Sequence, residues 1–281
     1  MTALLGLTWT PPGGSPLDLN DGGDYLLVAL SGAGIPDVLH TTEKTPRRRG
    51  ETYIRSVLEP RMLELEIALS ASTWALTQAA KQTFIASLVP EDGLGVLKYT
   101  PVAGGQAYAI DCILEDGGGF SRPISPQAEL LALTMRCPDP AWYDPDETEV
   151  ELQVPNVGIT FPLVFPLSIG TRMISVVHAY VGTVPVWPSF SVPGPFTTLY
   201  LVNVTTGKEL RLPTIAVASG ETLVIDMWER TVKVDGVSVL SSMNPDSTFW
   251  RLERGDNTVT VRTAVDAPLV TMTYNKRFAG I

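Results

Sequence analysis

Arg61-Met62-Leu63-Glu64-Leu65-Glu66-Ile67-Ala68-Leu69 alternates apolar and polar side chains with a period of two, setting Leu63, Leu65, Ile67 and Leu69 on one face and Glu64 and Glu66 on the other. This is the signature of a strand with one face in a core and one in water. The two glutamates share one environment, whereas an acid/base pair needs two different ones, so they predict a solvated face and not a catalytic site. Just downstream, Ser72 is placed to cap a helix in which Leu76, Ala79, Ala80, Thr83, Phe84 and Leu88 recur at helical spacing as far as Pro90. Further strands are predicted over residues 96–100, 107–114 and 130–137. The first half therefore reads as an antiparallel sheet carrying one helix.

Upstream, the turn-rich Asp21-Gly22-Gly23-Asp24 leads into an apolar run over residues 25–30, a hairpin-like element. Residues 40–53 are polar and contain Arg47-Arg48-Arg49, read as a solvated loop whose cations are available for ion pairing. Downstream, Cys137-Pro138-Asp139-Pro140-Ala141-Trp142-Tyr143-Asp144-Pro145-Asp146 is rich in proline and acid, the composition of a hinge or linker. Beyond it the pattern is wholly strand-like, with turns such as Thr205-Thr206-Gly207-Lys208 and Asp235-Gly236 every ten or so residues, as in a jelly-roll or galectin-like β-sandwich. A chain of 281 residues is long enough for two such cores, and the expected domains are 1–149 and 150–281.

Charge divides the same way. The net charge is −10, yet residues 1–154 alone carry −11 and residues 155–281 carry +1. A generally basic nucleic-acid binder is excluded, and the first half presents a negative potential that the second does not. No apolar run reaches the ~18 residues of a membrane helix, and the first basic residue is Lys44, so no positively charged leader precedes Ala3-Leu4-Leu5. A soluble protein made in a reducing cytoplasm is expected. Cys112 and Cys137 are too few for a disulfide framework or zinc site and read as buried thiols.

Chemistry is sparsely represented. The two histidines, His40 and His178, fall in different halves and so share no metal or shuttle site. Nucleophile-elbow, P-loop, dinucleotide and zinc-protease motifs are absent, and Asp226 with Glu229 is only the least poor carboxylate pair for a hydrolase. No catalytic residue, cofactor or metal is expected. Among the aromatics of the second half, Trp228 and Trp250 are candidates for an exposed glycan- or partner-binding patch, since sugar rings stack on indoles.

Taken in order, Leu131 to Tyr143 with its Cys-Pro-Asp-Pro, Thr160-Phe161-Pro162-Leu163-Val164-Phe165-Pro166, and Gly182-Thr183-Val184-Pro185-Val186-Trp187-Pro188-Ser189-Phe190 resemble the distal tail proteins of long-tailed, non-contractile bacteriophages. Leu201-Val202-Asn203-Val204-Thr205-Thr206-Gly207, Ser219-Gly220-Glu221-Thr222 and Phe249-Trp250-Arg251-Leu252 extend the resemblance nearly to the end. Ala179-Tyr180-Val181 departs from it, where relatives often carry a polar Asn before the Gly-Thr turn.

The resemblance implies a structural virion protein with no enzymatic role. Its amino-terminal domains would form a homohexameric ring joining the tail tube protein to the tip hub or baseplate, and its galectin-like domains would project outward, with receptor-binding proteins as further partners. It implies assembly in the host cytoplasm, no membrane partner, and DNA passing through the ring without specific binding. An acidic lumen suits that passage, because cationic contacts to phosphate dominate nucleic-acid affinity. Arg47, Arg48, Arg49 and Arg61 are the expected cross-subunit ion-pair donors. The rival reading is a carbohydrate-binding adhesin module that recognises host cell-wall glycan through Trp228 or Trp250.

Overall fold

In a computed structural model of the chain, the described residues are 6–20, 22–47, 49–89, 93–102, 104–117, 122–125, 127–153, 172–263 and 269–281. The chain divides into two compact units, Met1–Pro145 with Phe278–Ile281, and Asp146–Arg277. The segment 160–166 lies outside the described residues, as does Arg48.

The first unit contains β1 (Gly6–Thr10), β2 (Leu17–Asp18), β3 (Tyr25–Ser31), β4 (Val38–Glu43), β5 (Thr52–Leu58), β6 (Arg61–Ser70), α1 (Trp74–Ser87), β7 (Gly95–Thr100), β8 (Tyr108–Asp116), β9 (Arg122–Ser125), β10 (Ala128–Cys137) and β11 (Trp142–Tyr143). Antiparallel pairing orders the main sheet β2-β1-β7-β8-β10-β6-β3. Strand β6 alternates as its sequence requires: Leu63, Leu65, Ile67 and Leu69 are buried, while Met62, Glu64 and Glu66 are exposed. Its register with β10 sets Leu63 against Met135, Leu65 against Leu133 and Ile67 against Leu131, concentrating the apolar side chains on one face. Burial of each contributes about 1.5–3 kcal/mol, so this face anchors the unit.

Helix α1 packs into the same cluster through Ala80, Phe84 and, just beyond its end, Leu88. The expected stripe is corrected in part: Ala80, Phe84 and Leu88 are buried as predicted, but Leu76, Ala79 and Thr83 are exposed and Thr77 is buried. The physical reason is that Thr77 and Lys81 have polar partners at this interface. The Thr77 hydroxyl accepts from Ala71 N at 3.1 Å and lies 2.8 Å from the Gln127 carbonyl, and Lys81 reaches Glu129 of β10 at 2.7 Å. The cap is Thr73, not Ser72; Thr73 has extended backbone angles and its hydroxyl accepts from Leu76 N at 3.3 Å. Trp9 Nε1 donates to the Ser87 carbonyl at the other end of the helix. Cys112 and Cys137 are buried free thiols.

The second unit contains β12 (Thr148–Gln153), β13 (Arg172–Tyr180), β14 (Ser189–Pro193), β15 (Phe196–Asn203), β16 (Lys208–Val217), β17 (Thr222–Asp226), β18 (Thr231–Val234), β19 (Val237–Ser238), β20 (Gly255–Thr263) and β21 (Leu269–Tyr274). They form a six-stranded sheet, β12-β21-β14-β17-β18-β19, and a four-stranded sheet, β13-β20-β15-β16. Phe190, Val192, Leu223 and Ile225 from the first meet Leu199, Leu201, Leu210 and Val261 from the second in one core, the β-sandwich expected from the strand pattern. Asp235 and Gly236 both have positive φ, 46° and 82°, as the two-residue loop joining β18 to β19 demands.

Candidate functional site

Strands β4 and β5 pair with each other and, among the described residues, with no other strand. The polar stretch read as a loop is thus largely a hairpin, with Arg47 and Arg49 near its tip. Leu39 (55% exposed), Tyr53 (61%), Ile54 (54%) and Val57 (51%) stand in solvent. Consecutive residues Tyr53 and Ile54 point to opposite faces, so neither face of the hairpin has a core. A lone two-stranded hairpin is marginal in water, and one carrying this much uncovered apolar surface is shaped to meet a partner. Its polar side chains stiffen it: His40 Nδ1 lies 2.6 Å from Ser56 Oγ, and Thr42 Oγ1 donates to Glu51 at 2.6 Å. The signal missed in the sequence was Thr52-Tyr53-Ile54-Arg55-Ser56-Val57-Leu58, rich in β-branched and aromatic residues and preceded by the turn-forming Pro46 and Gly50.

The solvent-facing side of the main sheet is acidic. Glu64 and Glu66 of β6 are exposed, and Asp116 of β8 extends the face across Thr134, which pairs with both Glu64 and Asp116. Among the described residues, edge strand β3 pairs with β6 only, and it exposes Leu26 and Val28. An unpaired apolar edge is a template for further strand pairing.

The predicted site residues are dispersed. Arg47, in the left-handed region at φ 66°, and Arg49 are exposed on the hairpin turn. Arg61 is 2% exposed and is spent inside its own unit, which corrects its reading as a donor to a neighbouring subunit. Its Nε donates to Pro140 O at 2.9 Å, Nη1 to Gly32 O at 2.5 Å and to Gly34 O, and Nη2 to Ala279 O at 2.5 Å. The guanidinium also lies over the Trp142 ring, 5.8 Å from its centroid. Burial lowers its pKa from the ordinary arginine value, opposed by the neighbouring Cys137.

Trp250 is likewise corrected. It is fully buried, edge-on to Phe190 with centroids 5.4 Å apart, and its Nε1 donates to Leu201 O at 3.3 Å. It is core and offers no stacking face. Trp228 is 57% exposed on the turn after β17, where Arg277 lies over its ring at 5.6 Å and Trp187 meets it edge-on at 6.5 Å. The nearby Asp226 carboxylate accepts from Trp228 N and Glu229 N, both at 2.8 Å, and so serves the turn. His178 is hydrogen-bonded to Tyr274 Oη at 2.6 Å, inside the second unit. No helix among the described residues is long and apolar enough to cross a membrane.

Residues 181–278 match the family model described as siphovirus-type tail component, C-terminal domain. The fold is similar over nearly the whole chain to the crystal structure of phage SPP1 Dit, described as a paradigm of the hub adsorption apparatus in Gram-positive-infecting phages: TM-score 0.69 and 13% identity, covering 97% of this chain and 99% of that one. It is also similar to a chain of the phage p2 baseplate in its activated conformation with strontium, at TM-score 0.52 and 10% identity over 97% of this chain and 98% of that one. The p2 baseplate with calcium gives TM-score 0.51 at 9% identity, covering 96% and 98%. No curated protein matches the sequence. Residues 181–278 thus match a siphovirus-type tail component domain, and over nearly its whole length the chain has a fold similar to that of Dit.

Proposed function

We propose that copies of this chain close into a hexameric ring that joins the tail tube protein to the tip hub or baseplate. The reading rests on one observation: the β4–β5 hairpin exposes Leu39, Tyr53, Ile54 and Val57 on both of its faces, surface that a neighbouring subunit would cover. A heterologous interface of this kind, an arm on one copy meeting a different surface on the next, generates a ring whenever the rotation closes. The ring-forming part is the domain over 1–149, and the galectin-like domain over 150–281 is left to face outward, where receptor-binding proteins attach. The acidic face carrying Glu64, Glu66 and Asp116 lines the lumen, and DNA passes it without specific binding because the surface repels phosphate. Arg47 and Arg49 pair with carboxylates of the next subunit. The protein assembles in the host cytoplasm, resides in the virion tail tip, and catalyses no reaction.

Light scattering of the purified chain over a range of concentrations, alone and with tail tube protein, tests this. A discrete hexamer or monomer-hexamer equilibrium is expected, and Leu39→Asp with Ile54→Asp should give a monomer of unchanged unfolding midpoint. A monomer at every concentration that also fails to close on tail tube protein refutes the ring. A basic lumen in the assembled particle refutes the account of DNA passage.

A further inference from the structure

Strand register sets three side chains in one row across the four-stranded sheet of the second unit. Tyr200 on β15 lies directly opposite Arg262 on β20 and directly opposite Arg211 on β16. Their strand neighbours Leu199, Leu201, Val261, Leu210 and Leu212 fill the sandwich core, so alternation turns the row outward. Direct cross-strand neighbours stand about 5 Å apart, which puts a guanidinium on each side of the phenol. Tyr200, Arg211 and Arg262, with Glu209, line a shallow depression of about 220 Å³.

The charges in this depression are not equivalent. Arg211 Nη2 donates to the Glu209 carboxylate, and Asp246 adds a second negative field near the same guanidinium. Glu209 is held below the usual carboxylate range, first by the Arg211 hydrogen bond and then, against some desolvation, by the charges of Arg211 and Arg262. Arg262 is exposed and makes no ion pair among the described residues. One cation of the row is therefore committed and the other is open.

We propose that this row binds an acidic glycan, with the sugar's carboxylate or phosphate on Arg262, a ring hydroxyl between Arg211 and Glu209, and the C–H face of the ring on Tyr200. Each contact follows from the group that makes it. An open guanidinium presents a planar fork that carboxylate and phosphate match two bonds at a time. The Arg211–Glu209 pair offers a donor and an acceptor side by side, and a hydroxyl is the ligand group that uses both. The phenol gives a flat apolar surface between them. A bare anion leaves the phenol unused, and a neutral sugar leaves Arg262 to water. The row sits on the opposite sheet from Trp228, whose own ring face is occupied by Arg277, and it does not depend on ring closure.

Amide NMR titrations of the full chain test the assignment with four probes: glucuronic acid, glucose 6-phosphate, glucose and inorganic phosphate. One or both acidic sugars should shift amides of residues 199–202, 209–212 and 260–263, with affinity roughly tenfold or more above glucose and above inorganic phosphate, the size of one charge-assisted contact. Preference between the two acidic sugars identifies carboxylate or phosphate as the natural group. Arg262→Gln should remove the advantage of the acidic sugars and Tyr200→Ala the advantage over inorganic phosphate, while Trp228→Ala changes neither. Unfolding midpoints matching wild type keep these losses attributable to the site. Equal binding of glucose and the acidic sugars, equal binding of inorganic phosphate, shifts centred on Trp228, or no shifts with any probe overturns the proposal. Stronger shifts with a short Asp/Glu peptide than with either sugar overturns it in favour of an acidic protein partner.

Discussion

Arg61 and Ala279 are joined by a 2.5 Å hydrogen bond from Nη2 to the carbonyl oxygen, across 218 positions of sequence. The same guanidinium serves Gly32, Gly34 and Pro140, so one buried side chain ties the β3–β4 connection, the segment before β11 and the last residues of the chain into the first unit. Phe278 adds an edge-to-face contact with Tyr108 at 5.2 Å, and Ile281 N donates to Ala33 O at 3.2 Å.

Arg61→Met keeps the apolar stem and removes the donor fork. Each buried acceptor deprived of a partner costs about 1–3 kcal/mol, so a loss of about 3 kcal/mol or more in first-unit stability is expected. Urea unfolding followed by tryptophan fluorescence reads it, since Trp142 lies under the guanidinium. An unchanged midpoint would show that the four contacts are not stabilising. Arg61→Lys should recover only part of the loss, because an ammonium lacks the fork.

Lys81 and Glu129 form a nearly buried ion pair at 2.7 Å, their side chains 14% and 4% exposed, and Gln78 Nε2 also donates to the carboxylate. Glu129→Ala takes away the counter-charge of an ammonium held between helix and sheet and should destabilise by about 3–5 kcal/mol. The double change Lys81→Met with Glu129→Leu should recover most of this. A double-mutant cycle in urea checks the coupling, and simple additivity of the single losses would contradict it.

His178 has its pKa lowered from the ordinary imidazole value by burial, which favours the neutral ring beside Tyr274. For a base with a depressed folded-state pKa, the stability is present above the unfolded value and lost as pH falls through the folded one. Second-unit stability should therefore decline from about pH 6.5 downward, and His178→Gln should flatten that limb. Thermal unfolding across this range measures it; an acid limb identical in the variant would assign the loss to other groups.

Trp250 and Trp228 should respond to truncation in opposite ways. Trp250→Ala empties a fully buried site and should cost about 3–5 kcal/mol. Trp228→Ala removes an exposed ring and one cation–π contact, with a cost of about 1 kcal/mol or less. Denaturation midpoints of the two variants decide it, and similar losses would place Trp228 in the core as well.

The alternation in residues 61–69 determined a half-buried strand, the spacing after Ser72 a helix against it, and the evenly spaced turns of the second half a sandwich. These are local periodicities, and one buried face is enough to specify them. The two acidic faces of opposite fate were not local: Glu66 is solvated and Glu129 is buried, because only β10 brings Glu129 beneath Lys81. Trp250 was misplaced for a related reason, since it lies outside any regular strand and alternation has no purchase there. Arg61 begins the very strand whose pattern was clearest, yet its role depends on Gly32, Gly34, Pro140 and Ala279, residues that sequence separates and chain folding assembles. Periodicity reports which side chains leave water; which carbonyls, rings and counter-charges they then meet is set by long-range packing, and that is where the tertiary structure decided the outcome.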